Sequence, residues 1–346
     1  MMMGVATTLI GFLPTYESIG ILAPLLLVAL RFVQGLAIGG QWGGAMLLVT
    51  ESAPKDQRGW YGAYAQAGAP VGVILANLAF LGVSASLSEA DFMDWGWRLP
   101  FIASFVLILI SMYVQLNLED TPAFKALAAN QAPKDATQKK ALKSPVAEVL
   151  RRYPKRIVLA AGAFLSIQVT FYILIAFVVA YGVNSPTVTL SRDMMLTAVL
   201  VAAAIMVPSQ FYFSGLSDRL GRKTVYRWGA ILTGLWGFAL FPLIDTGNPF
   251  AICFAVTMGL VFLGMQYGPQ AAFFTELFST EVRYSGASLG YQLGAIVGGA
   301  LAPTIAVLLW NNFGIFYVSV YIALAAILTL TSLSQLTETK GSDLTD

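Results

Sequence analysis

Long apolar runs without charge constrain this chain more than any other feature of its sequence. The stretch 157–180 contains no charged residue, and the 346-residue chain is 57% hydrophobic and only 11% charged. In soluble domains about a quarter of the residues are charged. A bilayer core of about 30 Å needs about 20 apolar residues per helical span, which these runs provide. A membrane barrel would instead show short segments of alternating polarity. The sequence therefore predicts an all-α integral membrane protein.

Hydropathy also predicts how the chain is organised. A polar segment at 118–155, rich in Lys, Gln, Ala and Pro, separates four spans from six and is interpreted as a cytoplasmic linker. The prediction is an incomplete N-terminal bundle at 1–117, a six-helix bundle at 156–336 and a cytoplasmic tail at 337–346. The ten predicted spans are 1–14, 20–50, 59–85, 96–117, 156–182, 193–214, 226–244, 249–275, 284–309 and 314–335.

Basic residues predict the orientation of these spans. Short loops rich in Lys and Arg stay on the cytoplasmic side of a membrane. Alternate loops and the C-terminal tail hold 17 of the 20 Lys and Arg residues. Both termini are therefore predicted to be cytoplasmic.

Composition excludes several classes of function. The chain has no histidine and a single cysteine, Cys253, so an internal disulfide and the usual zinc sites are excluded. No metal or cofactor is expected, and nothing indicates nucleic acid binding. An intramembrane enzyme would need a general base, for which the spans offer neither a histidine nor an acidic pair. The protein is predicted not to be an enzyme.

An internal repeat relates the two parts of the chain. An offset of 225 residues aligns Gly39 with Gly264, Glu51 with Glu276 and several further positions. Such a duplication predicts two parallel halves with a substrate site at their interface, near the membrane midplane. The first-half counterpart of 215–223 would precede Met1, and the first span of 14 residues reaches only about 21 Å. We therefore expect that the first two of twelve helices and part of the third are missing.

Several motifs resemble one transporter family. GLSDRLGRK at 215–223 is similar to the signature loop of the major facilitator superfamily. The segments 30–45, 51–59, 95–101 and 118–124 resemble its metabolite:proton symporter branch, whose members carry shikimate, 2-oxoglutarate, citrate or proline and betaine. The resemblance implies a two-bundle helical fold, alternating access, a monomer and the inner (plasma) membrane of a bacterium.

The signature loop is predicted to form a conformational gate. Its glycines permit a tight turn, and Asp218, Arg219 and Arg222 can form ion pairs that exist in only one conformation. The loop pairs Glu51/Arg58 and Glu276/Arg283, which match across the repeat, could have the same gate role. The alternatives are that the loop cations only fix orientation and that these two pairs are simply solvated. The predicted gate residues are Gly215, Asp218, Arg219, Gly221, Arg222, Lys223, Glu51, Arg58, Glu276 and Arg283.

A polar stripe is predicted to face a substrate cavity. Arg31 lies inside a span, where a charge costs about 2.5 to 3.5 kcal/mol, so it should face protein or water. An anionic substrate could be its partner. The alternatives are a carboxylate on absent helices and snorkelling to the interface. Gln34, Ile38, Gln41 and Trp42 share the helical face of Arg31. Each predicted glutamine or tyrosine could instead form an interhelical hydrogen bond. The candidate cavity residues are Arg31, Gln34, Gln41, Trp42, Gln168, Tyr172, Gln266, Tyr267, Gln270, Tyr291 and Gln292.

The predicted spans contain no acidic residue well inside the membrane that could couple transport to protons. Gln41 stands where the resembling branch commonly has Glu, and the acidic residues of this chain fall in loops or at span ends. Coupling requires a group that takes up and releases a proton. The leading hypothesis is a secondary transporter of a small organic acid or zwitterion in symport with protons. The alternative is a truncated, non-transporting remnant or membrane scaffold.

Overall fold

The computed structural model describes residues 1–117, 145–279 and 282–342, and it gives no side-chain description for 40 and 145–148. Most of the predicted linker, at 118–144, and the last four residues of the predicted tail lie outside the described residues. Within the described ranges the secondary structure is helical. The prediction of an all-α membrane protein is confirmed.

Ten helices organise the described part of the chain. Nine of them are long and apolar enough to cross a membrane, and Met2–Gly11 is a shorter apolar helix. Four short elements, Tyr16–Ile19, Glu89–Asp91, Phe92–Gly96 and Pro145–Arg152, lie between them. The ten helices are α1 Met2–Gly11, α2 Leu22–Ser52, α3 Arg58–Ser86, α4 Arg98–Asn117, α5 Pro154–Asn184, α6 Arg192–Leu220, α7 Arg222–Asp245, α8 Pro249–Glu276, α9 Arg283–Phe313 and α10 Ile315–Gln335.

Local sequence explains several helix ends. Ser191 precedes α6 and accepts a hydrogen bond from the Met194 amide, and Asn248 does the same for Phe250 at the start of α8. Short polar side chains at this position satisfy amides that have no partner inside the helix. Gly221 has φ +103° and allows the tight turn between α6 and α7. These signals set the boundaries of helices whose interiors are uniformly apolar.

Two long helices are interrupted by π-helical turns. One turn, Ile173–Phe177, lies within α5, and the other, Ala295–Ala300, lies within α9. A π-helical turn widens the helix locally and often occurs at functional sites. The first turn directly follows Tyr172, and the second includes Gly298 and Gly299, which lie against Gln168 and Tyr172.

The chain forms two compact units. The first comprises the described residues within 1–42 and 72–124, and the second comprises the described residues within 43–71 and 125–346. The contacts thus group 43–71, which contains the loop between α2 and α3, with the C-terminal helices. The division of the chain at the linker stays a prediction.

In the first unit, α1 packs against α4. A β-carbon added at Gly4 would lie 2.5 Å from Ile108, and one at Gly11 would lie 2.7 Å from Ile102. The hydroxyls of Thr8 and Ser104 share a hydrogen bond of 3.1 Å across this contact. Small residues therefore bring the two helices close together, as is usual for helix pairs in membranes.

In the second unit, α9 packs against α5 through a glycine stripe. Gly290, Gly294 and Gly298 repeat every four residues along one face of α9. Added β-carbons there would lie 2.7 Å from Ala160, 2.9 Å from Phe164 and 3.1 Å from Gln168, which repeat at the same interval on α5. The matched spacing fixes the register of the two helices. It also fixes the height of Gln168, one of the predicted cavity residues.

This stripe yields a stability prediction. Gly294→Ala should lower the thermal unfolding midpoint in detergent, because its β-carbon would lie 2.8 Å from the Ala161 carbonyl oxygen and backbone cannot yield easily. We expect the free energy of unfolding to fall by about 1 to 3 kcal/mol. Gly68→Ala is the matched control, since nothing lies within 4 Å of its added β-carbon. Equal midpoints for the two variants would contradict the proposed close packing.

Candidate functional site

Six charged residues form a network at one end of the second unit. We call this set the charge network: Glu51, Arg58, Asp218, Arg222, Glu276 and Arg283. Its members come from the end of α2, the start of α3, the end of α6, the start of α7, the end of α8 and the start of α9. All six were predicted as gate residues, and the structure brings them together.

Arg222 and Glu276 lie at the centre of the network. The side chain of Arg222 is 1% exposed and that of Glu276 is 0% exposed. The Nε and Nη2 groups of Arg222 donate to the two carboxylate oxygens of Glu276 at 3.4 and 3.3 Å. Its Nη1 group donates to Asp218 and to the Ser217 hydroxyl. Nearly the whole donor capacity of the guanidinium is therefore used by groups of α6 and α8.

Asp218 connects α6 to the start of α3. Its carboxylate accepts hydrogen bonds of 2.9 Å from the backbone amides of Gly59 and Trp60. Carboxylates are favourable at helix N-termini because the amides there lack partners inside the helix and carry partial positive charge. A β-carbon at Gly59 would lie 2.6 Å from the Ser214 carbonyl oxygen. Close approach of the two helices therefore requires glycine at this position.

The two loop pairs predicted from the repeat are crossed in the structure. Arg283 donates to Glu51 at 3.3 Å, and Arg58 lies 3.9 Å from Glu276. Thus each glutamate contacts the arginine of the other repeat. The network therefore joins the loop 51–58 to α8 and α9 by reciprocal ion pairs, which simple solvated loops would not form.

The segment 336–342 covers the network. Glu338 accepts hydrogen bonds from the backbone amides of Arg222 and Lys223 at 2.9 and 3.0 Å. The Thr339 hydroxyl donates to Glu276 at 2.7 Å, and Arg58 donates to the Ser342 carbonyl oxygen at 2.8 Å. Sequence analysis missed these contacts, because it predicted a cytoplasmic tail at 337–346 and assigned no contacts to it.

The remaining predicted loop residues surround this arrangement. Gly215 lies against the Trp60 ring, and an added β-carbon would lie 3.2 Å from it. The Arg219 side chain is exposed, whereas its carbonyl oxygen accepts a hydrogen bond from Lys340 at 2.6 Å. Lys223 donates from its Nζ to the Leu336 carbonyl oxygen. Gly221 forms the turn between α6 and α7, and the Glu338 carboxylate packs against it.

Breaking the charge network costs much free energy, although its net contribution to the stability of the fold is moderate. Burying charges carries a desolvation cost that partner charges largely offset. Removing one partner leaves the other buried and unpaired, at a cost of about 3 to 5 kcal/mol. The network thus stabilises the arrangement of helix ends seen here, and this stabilisation is lost if the ends separate.

In the first unit, Arg31 lies on α2 with unused donor capacity. Its Nη1 group donates to the Gln34 amide oxygen at 3.2 Å, and Gln34 in turn donates to the Thr7 hydroxyl at 2.6 Å. No carboxylate of the described residues pairs with Arg31. The predicted stripe is divided: Arg31, Ile38 and Gln41 are exposed in this unit, whereas Gln34 and Trp42 are buried.

In the second unit, four of the predicted residues form one polar cluster. We call Gln168, Tyr172, Tyr267 and Tyr291 the phenol–amide cluster. The phenol groups of Tyr267 and Tyr291 lie close enough to interact, and Tyr172 lies within electrostatic range of both. A β-carbon at Gly299 would lie 2.8 Å from the Tyr172 ring and 3.6 Å from the Gln168 amide carbon. Helices α5, α8 and α9 thus bring these side chains together; Gln292 lies on the next position of α9 and is partly exposed.

Two predicted cavity residues are bonded elsewhere. Gln266 donates to the Thr233 hydroxyl on α7 at 2.8 Å and packs against Gly229. Gln270 accepts a hydrogen bond of 3.2 Å from Gln66, which also donates to the Tyr267 carbonyl oxygen at 2.8 Å. Gln66 was not predicted, although it is a polar residue within a largely apolar span and such residues often bond between helices.

Comparisons with known proteins show the family of this chain. The sequence model of the Major Facilitator Superfamily matches residues 1–288. The chain is 40% identical to the inner membrane metabolite transport protein YhjE of Escherichia coli, covering 99% of this chain and 77% of that protein. It is 37% identical to the shikimate transporter of the same species, covering 94% and 73%.

A solved structure shows the same fold. The proton:xylose symporter XylE superposes with a TM-score of 0.75 over 99% of this chain and 80% of that chain, at 16% identity. The interpretation of the chain as a transporter rather than an enzyme is confirmed. The chain is a multi-span membrane protein and belongs to the major facilitator superfamily.

Proposed function

We propose that this chain is a secondary active transporter that moves a small organic acid or zwitterion together with protons across a bacterial inner membrane. One observation carries the proposal: the buried charge network connects the loop 51–58 with four helix ends through ion pairs that separation of these ends would break. Alternating access requires such a two-state element, which stabilises one conformation and is broken in the other.

The charge network lies on the side that the basic residues predict to be cytoplasmic. Formed as it is here, it would hold that end closed, and its opening would release substrate to the cytoplasm. The names of the relatives, a metabolite transport protein and a shikimate transporter, support a small organic cargo. The proposal includes cytoplasmic termini and a monomeric protein.

Arg31 is the proposed contact for an anionic group of the substrate. It lies at the tenth position of the 31-residue helix α2, well inside the span, and it retains guanidinium donors after bonding Gln34. A guanidinium is suited to bidentate binding of a carboxylate. Gln34 and Thr7 would hold its orientation through their hydrogen bonds.

Uptake measurements test the proposed function. Cells producing the chain should accumulate at least one of shikimate, 2-oxoglutarate, citrate, proline or betaine above cells with an empty vector, and a protonophore should abolish the accumulation. Accumulation that a protonophore leaves unchanged would contradict proton coupling. A chain that inserts in the membrane but takes up none of these compounds would favour the non-transporting alternative.

The role of Arg31 gives a second prediction. Arg31→Ala should reduce uptake by roughly tenfold or more while membrane insertion is retained, because the anionic group would lose its charge partner. Arg192→Ala is the control, since Arg192 is an exposed cation at the start of α6. Both variants are compared by uptake per amount of inserted protein. Normal uptake by Arg31→Ala would refute the proposed contact.

The gate gives a third prediction. Asp218→Asn should lower the maximal transport rate by about tenfold with a KM within about twofold of the parent, because the change affects the conformational step and not the binding site. The control is Asp193→Asn, whose carboxylate is exposed at the other end of α6. If only KM changed, Asp218 would belong to binding and the gate assignment would be wrong.

A further inference from the structure

Two polar side chains of α6 are enclosed without a hydrogen-bond partner. Gln210 and Ser214 are each 0% exposed. Within the described part of the chain, no group bonds the amide nitrogen or oxygen of Gln210, or the hydroxyl of Ser214. Both side chains would bond water if they were exposed, so enclosing them costs free energy. Buried polar groups are usually paired, and this exception needs a physical explanation.

The backbone of α8 presses against one side of these groups. A β-carbon added at Gly268 would collide with the Ser214 hydroxyl and lie 3.3 Å from Cγ of Gln210. One turn earlier, a β-carbon added at Gly264 would lie 3.3 Å from the Ser209 hydroxyl. Glycines of α8 thus bring its backbone close to α6, as is usual for helix pairs in membranes. Water can enter from this side only if two closely packed helices separate.

Helix α3 covers the adjoining face of α6. The ring of Phe211 lies 5.3 Å from the ring of Trp60, centroid to centroid, and Asp218 accepts a hydrogen bond from the Gly59 amide. Ser214 follows the first of these α6 residues by three positions and precedes the second by four. It therefore shares their helical face, which is the face that α3 covers.

Small residues allow α3 to fill the groove between α6 and α8. A β-carbon at Gly62 would lie 3.1 Å from that of Ala271, and one at Gly59 would lie 2.6 Å from the Ser214 carbonyl oxygen. Gln210 precedes Ser214 by about one helical turn, so α3 and α8 enclose the two side chains together. Withdrawal of α3 would open this groove to water. The buried face of α3 includes Gly59, Gly62, Ala63 and Gln66.

Other contacts hold α3 in the groove. Gln66 donates to the carbonyl oxygen of Tyr267 at 2.8 Å and to the amide oxygen of Gln270 at 3.2 Å. The charge network also joins the loop 51–58 and the start of α3 to α6, α8 and α9. These contacts are lost when α3 leaves, whereas the two enclosed side chains then gain water. The two sets of groups therefore oppose each other, which reduces the free-energy difference between the closed and open arrangements.

We infer that Gln210 and Ser214 form a hydration switch, which favours withdrawal of α3 from the groove and thereby opposes the charge network. The inference rests on the proposed gate, because it names the groups that favour the open state of that gate. Replacing either side chain by an apolar one of similar size stabilises the closed arrangement, because an unpaired polar group is removed and no hydrogen bond is lost.

The test is hydrogen–deuterium exchange of the purified chain in detergent, without substrate. The backbone amides of Gly59 and Trp60 bond Asp218 only while α3 lies in the groove. Their exchange therefore measures the fraction of molecules in which α3 has withdrawn. Mass spectrometry follows it in a peptide that spans 55–66.

Two variants remove the unpaired groups. Ser214→Ala should slow the exchange of the Gly59 and Trp60 amides by about fivefold or more, because the closed arrangement no longer encloses an unpaired hydroxyl. Gln210→Met keeps an unbranched side chain of similar length and should slow the exchange at least as much. The thermal unfolding midpoint of each variant shows whether it folds.

Two further variants serve as controls. Ser209→Ala makes the same change on the same helix, but the Ser209 hydroxyl already donates to the Met206 carbonyl oxygen at 2.8 Å, so the exchange should stay unchanged. Gln66→Met should have the opposite effect and speed the exchange by about fivefold or more, because it removes hydrogen bonds between α3 and α8.

Slower exchange in Ser214→Ala or Gln210→Met, with Ser209→Ala unchanged, would support the inference. Unchanged or faster exchange in both variants would overturn it, since trapped water would then satisfy these groups in the closed arrangement. Equal slowing in Ser209→Ala would overturn it as well, because the effect would not depend on an unpaired group. Since the exchange is measured without substrate or a proton gradient, the expected slowing together with no uptake by the parent chain would retain this inference and lose the proposed transport function.

Discussion

The carboxylate of Glu276 imposes the strongest constraint on this structure. It is fully enclosed, so it is stable as an anion only while its positive and polar partners stay in contact. Arg222 comes from the start of α7, Arg58 from the start of α3, and Thr339 from the segment after α10. One side chain therefore coordinates elements that are far apart in sequence. The turn at Gly221 and the capping of α3 by Asp218 both follow from bringing these partners to the same place.

Further along the same helices, apolar packing replaces charge as the organising interaction. The glycine stripe of α9 lets α5 approach so closely that Phe164 and Gln168 are confined between the helices. The phenol–amide cluster is thus held by rigid backbone rather than by flexible loops. Side chains on packed helices are held more precisely than side chains on loops. The second unit thus combines the charge network, which is stable only while its helix ends stay together, with the phenol–amide cluster, which rigid helix packing holds in place.

Sequence analysis predicted much of this arrangement, because membrane helices need long apolar runs and the repeat relates the two charged loops. The positions of the nine described helices that are long enough to span a membrane, the six network residues and the polar residues of α5, α8 and α9 were all predicted. Helix geometry explains why Gln266 differs from Tyr267: consecutive residues are separated by about 100° around a helix, so they cannot share a face. Gln266 points to Thr233 on α7. The role of Glu338 could not be predicted, because a short polar tail carries no pattern that distinguishes docking from solvation.

The charge network has equal numbers of guanidinium and carboxylate groups: Arg58, Arg222 and Arg283 against Glu51, Asp218 and Glu276. A displacement of the whole set therefore moves no net charge through the transmembrane electric field, which acts on each elementary charge with about 2.3 kcal/mol per 100 mV. A uniform displacement of the charge network is therefore insensitive to membrane voltage, whereas movement of its charges apart along the membrane normal is not. Isolated charges such as Arg31 and any charge on the cargo would respond to the voltage in either case, whereas the network would respond only to the extent that its positive and negative groups move by different distances.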